Sequence, residues 1–325
     1  MSVSVSVLNQ GTELADLIQA KGYNGTACDA LSEFAGRVCY ASEARMGDAS
    51  GFIANRLAEG HADVVEHGWV SVLMPYVPKI NSSRYIAVRV ENGMYRASGN
   101  LRAWYDSNAA EIEPSGQIAT ALRGASPSVF AAENGCIFAL PVYRKVQSGK
   151  HAQALGWCYA SPGADDHNQA TFLLNGVSRS LTHQLVRHRL GSFSQRSQRY
   201  VDQGKAGWEY VTPPSIRDNP DARSIYDSCM ATVEGAYREL RAMSIRKEDA
   251  RFVLPNADTT KIVVSMTFAG WRHFAWLRAL DRAAQWEIRA VAQEVLTILH
   301  EIAPSEWAVE MDRLTTDERL RAGLD

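Results

Sequence analysis

The sequence predicts a mixed α/β fold, a central mixed sheet flanked by helices, with a large inserted subdomain. Three observations predict it. The run KIVVSMTF at 261–268 is rich in β-branched residues and reads as a strand. Ile288, Val291, Val295, Leu299 and Ile302 recur at three- and four-residue spacing, the stripe of a half-buried helix. Between residues 171 and 310 strand-like and helix-like segments alternate, the pattern of elements packed on a sheet.

In chain order, Val3 to Leu8 reads as an entry strand. Glu13 to Ala20 reads as a helix, with Thr12 as its N-cap and Gly22, Asn24 and Gly25 as its stop and turn. After His67 the pattern becomes strand-like through Trp69, Val70, Val72 and Leu73. RYIAVRV and MYRAS flank Asn92-Gly93, a type I′ hairpin signal. The stretches SNAAEIEPSG, RGASPS and SPGADDHNQ are loop-rich, and a loop of that total length without structure of its own is improbable. Residues 78–170 are therefore expected to form the inserted subdomain, with a hairpin and two or three helices. Residues 1–77 and 171–310 then form the main domain, and 311–325 a C-terminal tail. In the main domain ATFLL predicts a short strand and VSRSLTHQLVRHR a helix, followed by a loop of Ser, Gln and Arg. A helix follows over Ser224–Met243, and KEDARFVLP ends at the helix stop Pro255.

The 325 residues are 46% hydrophobic, enough for a sizeable core. With 34 basic and 36 acidic residues the net charge is −2, so no global field draws nucleic acid or an acidic membrane, and phosphate binding must rest on local arginines. The five cysteines (Cys28, Cys39, Cys136, Cys158, Cys229) are scattered without a C-x-x-C pair, which argues for a reducing, cytoplasmic setting and against a thiolate metal site. No secretory signal is read at the N-terminus. No run approaches the roughly 18 apolar residues of a membrane span.

The informative segment is THQLVRHRLGSFSQRSQRY, residues 182–200. Were the helix to continue to about Arg189, then Gln184, Arg187 and His188 would share one face. Forked guanidinium groups and hydroxyls would then meet one ligand, and a guanidinium matches two phosphate oxygens at once. Taken alone, an arginine-rich loop is more often a solvated basic surface or a nucleic-acid contact.

Arg187-His188-Arg189, seven residues and then Ser197 resembles the R-H-R-x7-S signature of flavin-dependent thymidylate synthases. Gln184 before it and Ser197-Gln198-Arg199-Tyr200 after it match too. So do Arg37-Val38-Cys39-Tyr40, Gly60-His61 with Glu66-His67, and Glu248-Asp249-Ala250-Arg251 with Leu254-Pro255. Phe274, Leu277-Arg278 and Ala284-Gln285-Trp286-Glu287-Ile288-Arg289 complete the resemblance, which covers roughly 30–70 and 170–302.

The resemblance implies reductive methylation of dUMP to dTMP, with FAD as cofactor and with methylenetetrahydrofolate and NADPH as cosubstrates. It implies Gln184, Arg187, Gln195, Ser197, Arg199, Arg251 and Arg278 as dUMP ligands, with Arg278 and Ser197 catalytic. Physically, Arg199 and Arg251 suit a phosphate, and Ser197 and Gln184 can donate to or accept from base and sugar. A cation at the uracil N3–O edge favours the deprotonated ring and so enriches C5; the competing reading of Arg278 is a helix ion pair to Asp281. On the flavin side it places His61, Arg187, His188, Arg189, Gln195, Thr267 and His273, although a lone histidine is more often a core or capped residue. The His61–Glu66–His67 spacing is not H-E-x-x-H, so no metal is expected. A homotetramer with shared active sites is implied.

The sequence departs from the family pattern at Thr267, Ala269, His273 and Asp63. It also carries one extra residue between Arg278 and Gln285, and the 78–170 stretch is unusually long. The alternatives are a related flavoenzyme acting on another pyrimidine nucleotide, and a non-catalytic nucleotide- or nucleic-acid-binding protein. The near-neutral charge counts against the last of these.

Overall fold

The computed structural model describes residues 4–7, 9–10, 12–20, 25–78, 85–107, 116–130, 146–206, 208–317 and 320. Its strands form two antiparallel sheets. Strands β1 (Ser4–Val7), β3 (Trp69–Met74), β4 (Ile86–Glu91) and β5 (Met94–Asn100) make the first, in the order β1-β3-β5-β4. Strands β2 (Asn9–Gln10), β6 (Ala152–Cys158), β7 (Gln169–Ser178), β8 (Ser192–Gln195) and β9 (Thr259–Thr267) make the second, in the order β2-β6-β7-β9-β8. The α/β class is thus as expected, but the strands divide between two sheets, and every pairing is antiparallel rather than mixed.

Asn92 and Gly93 both have positive φ, 52° and 76°, which is what the turn between β4 and β5 demands. The 78–170 span contains this hairpin and the helices α4 (Leu101–Asp106) and α5 (Gln117–Ala125). Its β5 pairs with β3 and its β6 with β7, so both sheets combine strands from inside and outside the span. Val3, Leu8, Gly22 and Asn24 lie outside the described residues, as do 79–84, 108–115 and 131–145.

The second sheet separates two cores, and side-chain parity decides which residue joins which. Leu155, Leu173 and Val263 point to a core shared with the first sheet and the helices α1 (Thr12–Ala20), α2 (Ala27–Cys39) and α3 (Ala49–Ala58). Their neighbours Phe172, Leu174, Ile262 and Val264 point the other way. There they meet α6 (Arg179–Leu185), α8 (Phe268–Phe274), α9 (Trp286–Ile302) and α10 (Ala308–Thr316). All five residues of the predicted stripe on α9 are buried. Helix α7 (Pro220–Ala242) starts at an Asn219 cap with Pro at its first turn, four residues before the expected Ser224, and buries only Met230 and Tyr237.

Further sequence-based boundaries shift. Strand β7 outruns the expected ATFLL on both sides and takes Val177 and Ser178 from the expected helix. Helix α6 closes at Leu185 rather than continuing to Arg189, so Arg187, His188 and Arg189 stand in the turn beyond it. The first part of the expected Ser-Gln-Arg loop is strand β8. Its polar residues pair with β9, from Ser192 opposite Ser265 to Gln195 opposite Ile262.

Candidate functional site

The site is assembled from the ends of β8, α2 and α6, the turn before β9, and the segment after α8. Ser178 caps α6: its hydroxyl accepts from the Leu181 amide and donates to Glu287 Oε2 at 2.5 Å, and Glu287 Oε1 accepts the Ser178 amide at 2.7 Å. Gln285 caps α9 through the amides of Glu287 and Ile288. The matched A-Q-W-E-I block therefore includes residues that fix where α6 begins.

Because α6 stops at Leu185, His188 turns inward and is 8% exposed, while Arg187 and Arg189 on either side point out. Arg278 Nε donates to His188 Nε2 at 3.2 Å, and the His188 ring lies against His273 and Phe274, with centroids 5.8 and 5.1 Å away. Burial, with Arg278 and His273 adding to it, pushes the imidazole down to about 4, so it is neutral at pH 7 and able to accept from the guanidinium. Arg278 itself belongs to a single π turn, Ala275–Ala279, closed by the Leu280 amide on the Ala275 carbonyl at 3.0 Å. Its described partner is His188, not Asp281.

A second group gathers around Glu248. Arg199 Nε lies 3.9 Å from its carboxylate, and Arg251 Nε donates to its carbonyl at 3.2 Å. The Ser197 amide donates to the carbonyl of Cys39 at the end of α2, and the Ser197 hydroxyl accepts from the Arg199 amide. Tyr200 stacks on Tyr40 with centroids 5.0 Å apart, and the Tyr40 hydroxyl lies 3.3 Å from His61 Nδ1. So His61, Ser197, Arg199 and Arg251 stand on one continuous surface. Gln195 donates to Thr182 Oγ1 at 3.1 Å, which ties β8 to α6. Gln184, part-exposed, lies in the last turn of α6. Thr267 is the N-cap of α8, accepting from the Gly270 amide. Among the described residues, no hydrogen bond or ion pair of Arg199 or Arg251 reaches His188, His273 or Arg278.

Beneath the site runs a buried polar chain. His67, fully enclosed, has Nδ1 2.8 Å from Ser265 Oγ and Nε2 2.9 Å from Ser194 Oγ. Ser265 continues to Thr171, and Thr171 accepts from Gln169. Burial pushes His67 down to about 3, so the ring is neutral and can serve as donor at one nitrogen and acceptor at the other. Burial likewise pushes the Cys39 thiol up to about 11, which makes it a poor nucleophile at pH 7.

Sequence reasoning assigned no role to Arg179, Arg56 or Asp258. Arg179 donates to the Arg196 carbonyl at 2.7 Å, and Asp258 accepts from Gln198 at 2.5 Å and Trp208 at 2.9 Å; together they hold the chain around Ser197. Arg179 carried one signal: a cation in the first turn of a helix opposes the helix dipole and needs another reason to be there.

A sequence profile of the family described as "Thymidylate synthase complementing protein" matches residues 160–305. A "Flavin-dependent thymidylate synthase" of Nitratidesulfovibrio vulgaris is 44% identical over 175 residues, covering 51% of this chain and 69% of that protein. One of Geobacter sulfurreducens is 46% identical over 140 residues, covering 43% of this chain and 60% of the relative. One of Pyrococcus furiosus is 42% identical over 133 residues, covering 40% and 54%. The matched segment holds Arg187–Arg189, Ser197, Arg251 and Arg278, with the Arg278–His188 and Arg251–Glu248 contacts, and the chain belongs to the flavin-dependent thymidylate synthase family.

Proposed function

We propose that this protein converts dUMP to dTMP by reductive methylation, with FAD as bound cofactor, methylenetetrahydrofolate as one-carbon donor and NADPH as reductant. The observation that carries the reading is the Arg278–His188 pair. Only Nε of the guanidinium is taken, by a neutral ring, and the Nη groups have no hydrogen-bond partner among the described residues. They are available to a planar ligand, and a cation at the uracil edge stabilises the deprotonated ring, whose C5 is then electron-rich enough to attack a one-carbon electrophile.

Arg199 and Arg251, gathered on Glu248, are the phosphate ligands in this reading, with Ser197, Gln195, Gln184 and Arg187 around base and sugar. The donor set also fits a flavin dinucleotide: Arg187 and Arg189 present two exposed guanidinium forks for its phosphates. His188 and His273 supply ring edges, and Thr267 keeps a hydroxyl proton to donate while its oxygen caps α8. His61 completes the set from the Tyr40 side. When bound, the flavin supplies the redox chemistry; the protein binds, orients and sets the local charge. Cys39, held protonated by burial, takes no nucleophilic part.

The division of site residues into two groups within one chain supports active sites shared between subunits of a homotetramer. Leu190, 77% exposed, and Phe252, 83% exposed, directly follow Arg189 and Arg251 and supply apolar surface for such a contact. The test is product analysis after incubating the purified protein with dUMP, FAD, NADPH and methylenetetrahydrofolate. Formation of dTMP is expected; flavin-loaded protein that forms none would overturn the reading.

A further inference from the structure

A cleft of about 400 Å³ shares Tyr40 with the candidate site and is used by none of the contacts assigned above. Arg37, Tyr40, Ser42, Arg45, Phe52 and Arg56 line it. Its walls are firmly built. Gly36 on α2 has no Cβ, and one placed there would lie 2.5 Å from the Phe52 ring, so the ring packs directly on the helix backbone. The Arg37 guanidinium sits 4.7 Å over that ring, and Arg56 lies 5.3 and 5.5 Å from the Tyr40 and Phe52 rings. Guanidinium groups stacked on aromatic faces keep their in-plane N–H donors for oxygen ligands.

The charge within the cleft is unbalanced. Arg37 is answered from below by buried Glu33 at 2.6 Å; Arg56 gives one Nη to Glu59 at the rim at 2.8 Å and the other to the Tyr40 hydroxyl at 3.0 Å. Glu43 is turned away, toward Arg196 and Lys261. Arg45 is exposed and has no ion pair among the described residues, and Arg56 Nε is buried without a hydrogen-bond partner. Three cations thus face two carboxylates, with the whole Arg45 guanidinium uncommitted among the described residues, next to Tyr40 and its His61 and Tyr200 contacts.

We infer that this cleft binds the anionic tail of a cosubstrate whose reactive head reaches the neighbouring site, with Arg45 and Arg56 as the ligands of its oxygens. The inference rests on the thymidylate reading for the head group, and the shared tail chemistry is a cluster of carboxylate or phosphate oxygens. A reduced folate offers glutamyl carboxylates, and a nicotinamide dinucleotide offers phosphates.

The test is titration calorimetry on the FAD-loaded protein with two probes, folinate and NADP⁺. Wild type is compared with Arg45→Ala, Arg45→Lys and Arg56→Gln, and with Arg238→Ala, which removes an exposed cation on α7. Arg45 is exposed, so its variants should fold as wild type does. A loss of about tenfold in affinity for one probe in both Arg45→Ala and Arg56→Gln, partly restored in Arg45→Lys and absent in Arg238→Ala, supports the site. The probe that weakens identifies the tail: folinate for carboxylates, NADP⁺ for phosphates. Affinities within twofold of wild type for both probes, or binding of neither by the wild type, overturn it. Because binding is read without turnover, failure to form dTMP would overturn the thymidylate reading and leave this result standing.

Discussion

At the scale of single residues, Arg278 and His67 carry the clearest consequences. Arg278→Ala is expected to lower kcat for dTMP formation by about a hundredfold, in the range found when one stabilising donor is removed from a site of developing charge. The same variant removes a cation that depresses His188, so the His188 pKa should rise, which an NMR titration would detect. An unchanged kcat would show that Arg278 is only a structural partner of the imidazole. His67 makes a different prediction. Its pKa in the folded protein, about 3, lies below the ordinary 6.5, so between these values the unfolded chain binds a proton that the folded chain does not. Stability contributed by neutral His67 is therefore complete above about pH 6.5 and is lost as pH falls toward 3, by up to about 1.4 kcal/mol per pH unit. His188 adds to the loss over a narrower window that ends near 4. Urea unfolding of wild type and His67→Gln across pH 4–7 checks this; equal slopes would remove His67 as the cause. The R-H-R-x7-S pattern of Arg187–Arg189 and Ser197 could be read from the sequence because its spacing is local. The His67 chain was not, since its partners Ser194 and Ser265 are 127 and 198 residues away and each reads as an ordinary polar residue.

At the scale of elements, caps and pairings decide where site residues point. Ser178 and Glu287 fix the first turn of α6, and the end of that helix in turn fixes His188. Ser178→Ala should cost about 1 kcal/mol, as loss of an N-cap does. Glu287→Ala should cost about 1–3 kcal/mol, because it leaves a buried amide and hydroxyl unsatisfied. Chemical denaturation measures both, and equal costs would mean that the carboxylate adds nothing beyond the cap. Helix α9, β9 and the Asn92-Gly93 hairpin could be read from the sequence because periodicity and turn chemistry act over a few residues. Strand β8 could not. Ser192 to Gln195 reads as loop by composition, and only its partner β9, more than sixty residues later, makes it a strand. The end of α6 was missed for a related reason: Val186 to Arg189 has no breaker, and His188 leaves the helix for a contact with Arg278 far along the chain.

At the scale of the whole molecule, the second sheet belongs to both cores, so the described chain should unfold as one cooperative unit despite its two sheets. Tryptophan fluorescence and far-ultraviolet circular dichroism are expected to give coincident transitions; separated midpoints would show that part of 78–170 folds independently. In solution a mass near four times 35.8 kDa is expected by ultracentrifugation. Leu190→Glu or Phe252→Glu should shift it toward smaller species, and a monomeric wild type would rule out the shared-site arrangement. The parity of the second sheet also bears on where the chain can hold an extra residue. Adding or removing one residue inside β7 or β9 with no bulge to absorb it would exchange the contents of the two cores and invert every side chain beyond the change. β7 holds one such residue as a bulge: its register against β9 shifts between Asn175 and Val177, where Gly176 has a φ of 69°. The profile match, residues 160–305, encloses β7 and β9, whereas the long 78–170 span lies almost wholly before it. The π turn at Ala275–Ala279 is the helical counterpart of that bulge: one widens a turn and the other leaves a residue unpaired, and each takes up a residue locally. An added residue can thus be held in a strand or a helix alike, where the backbone yields locally and the two cores keep their contents.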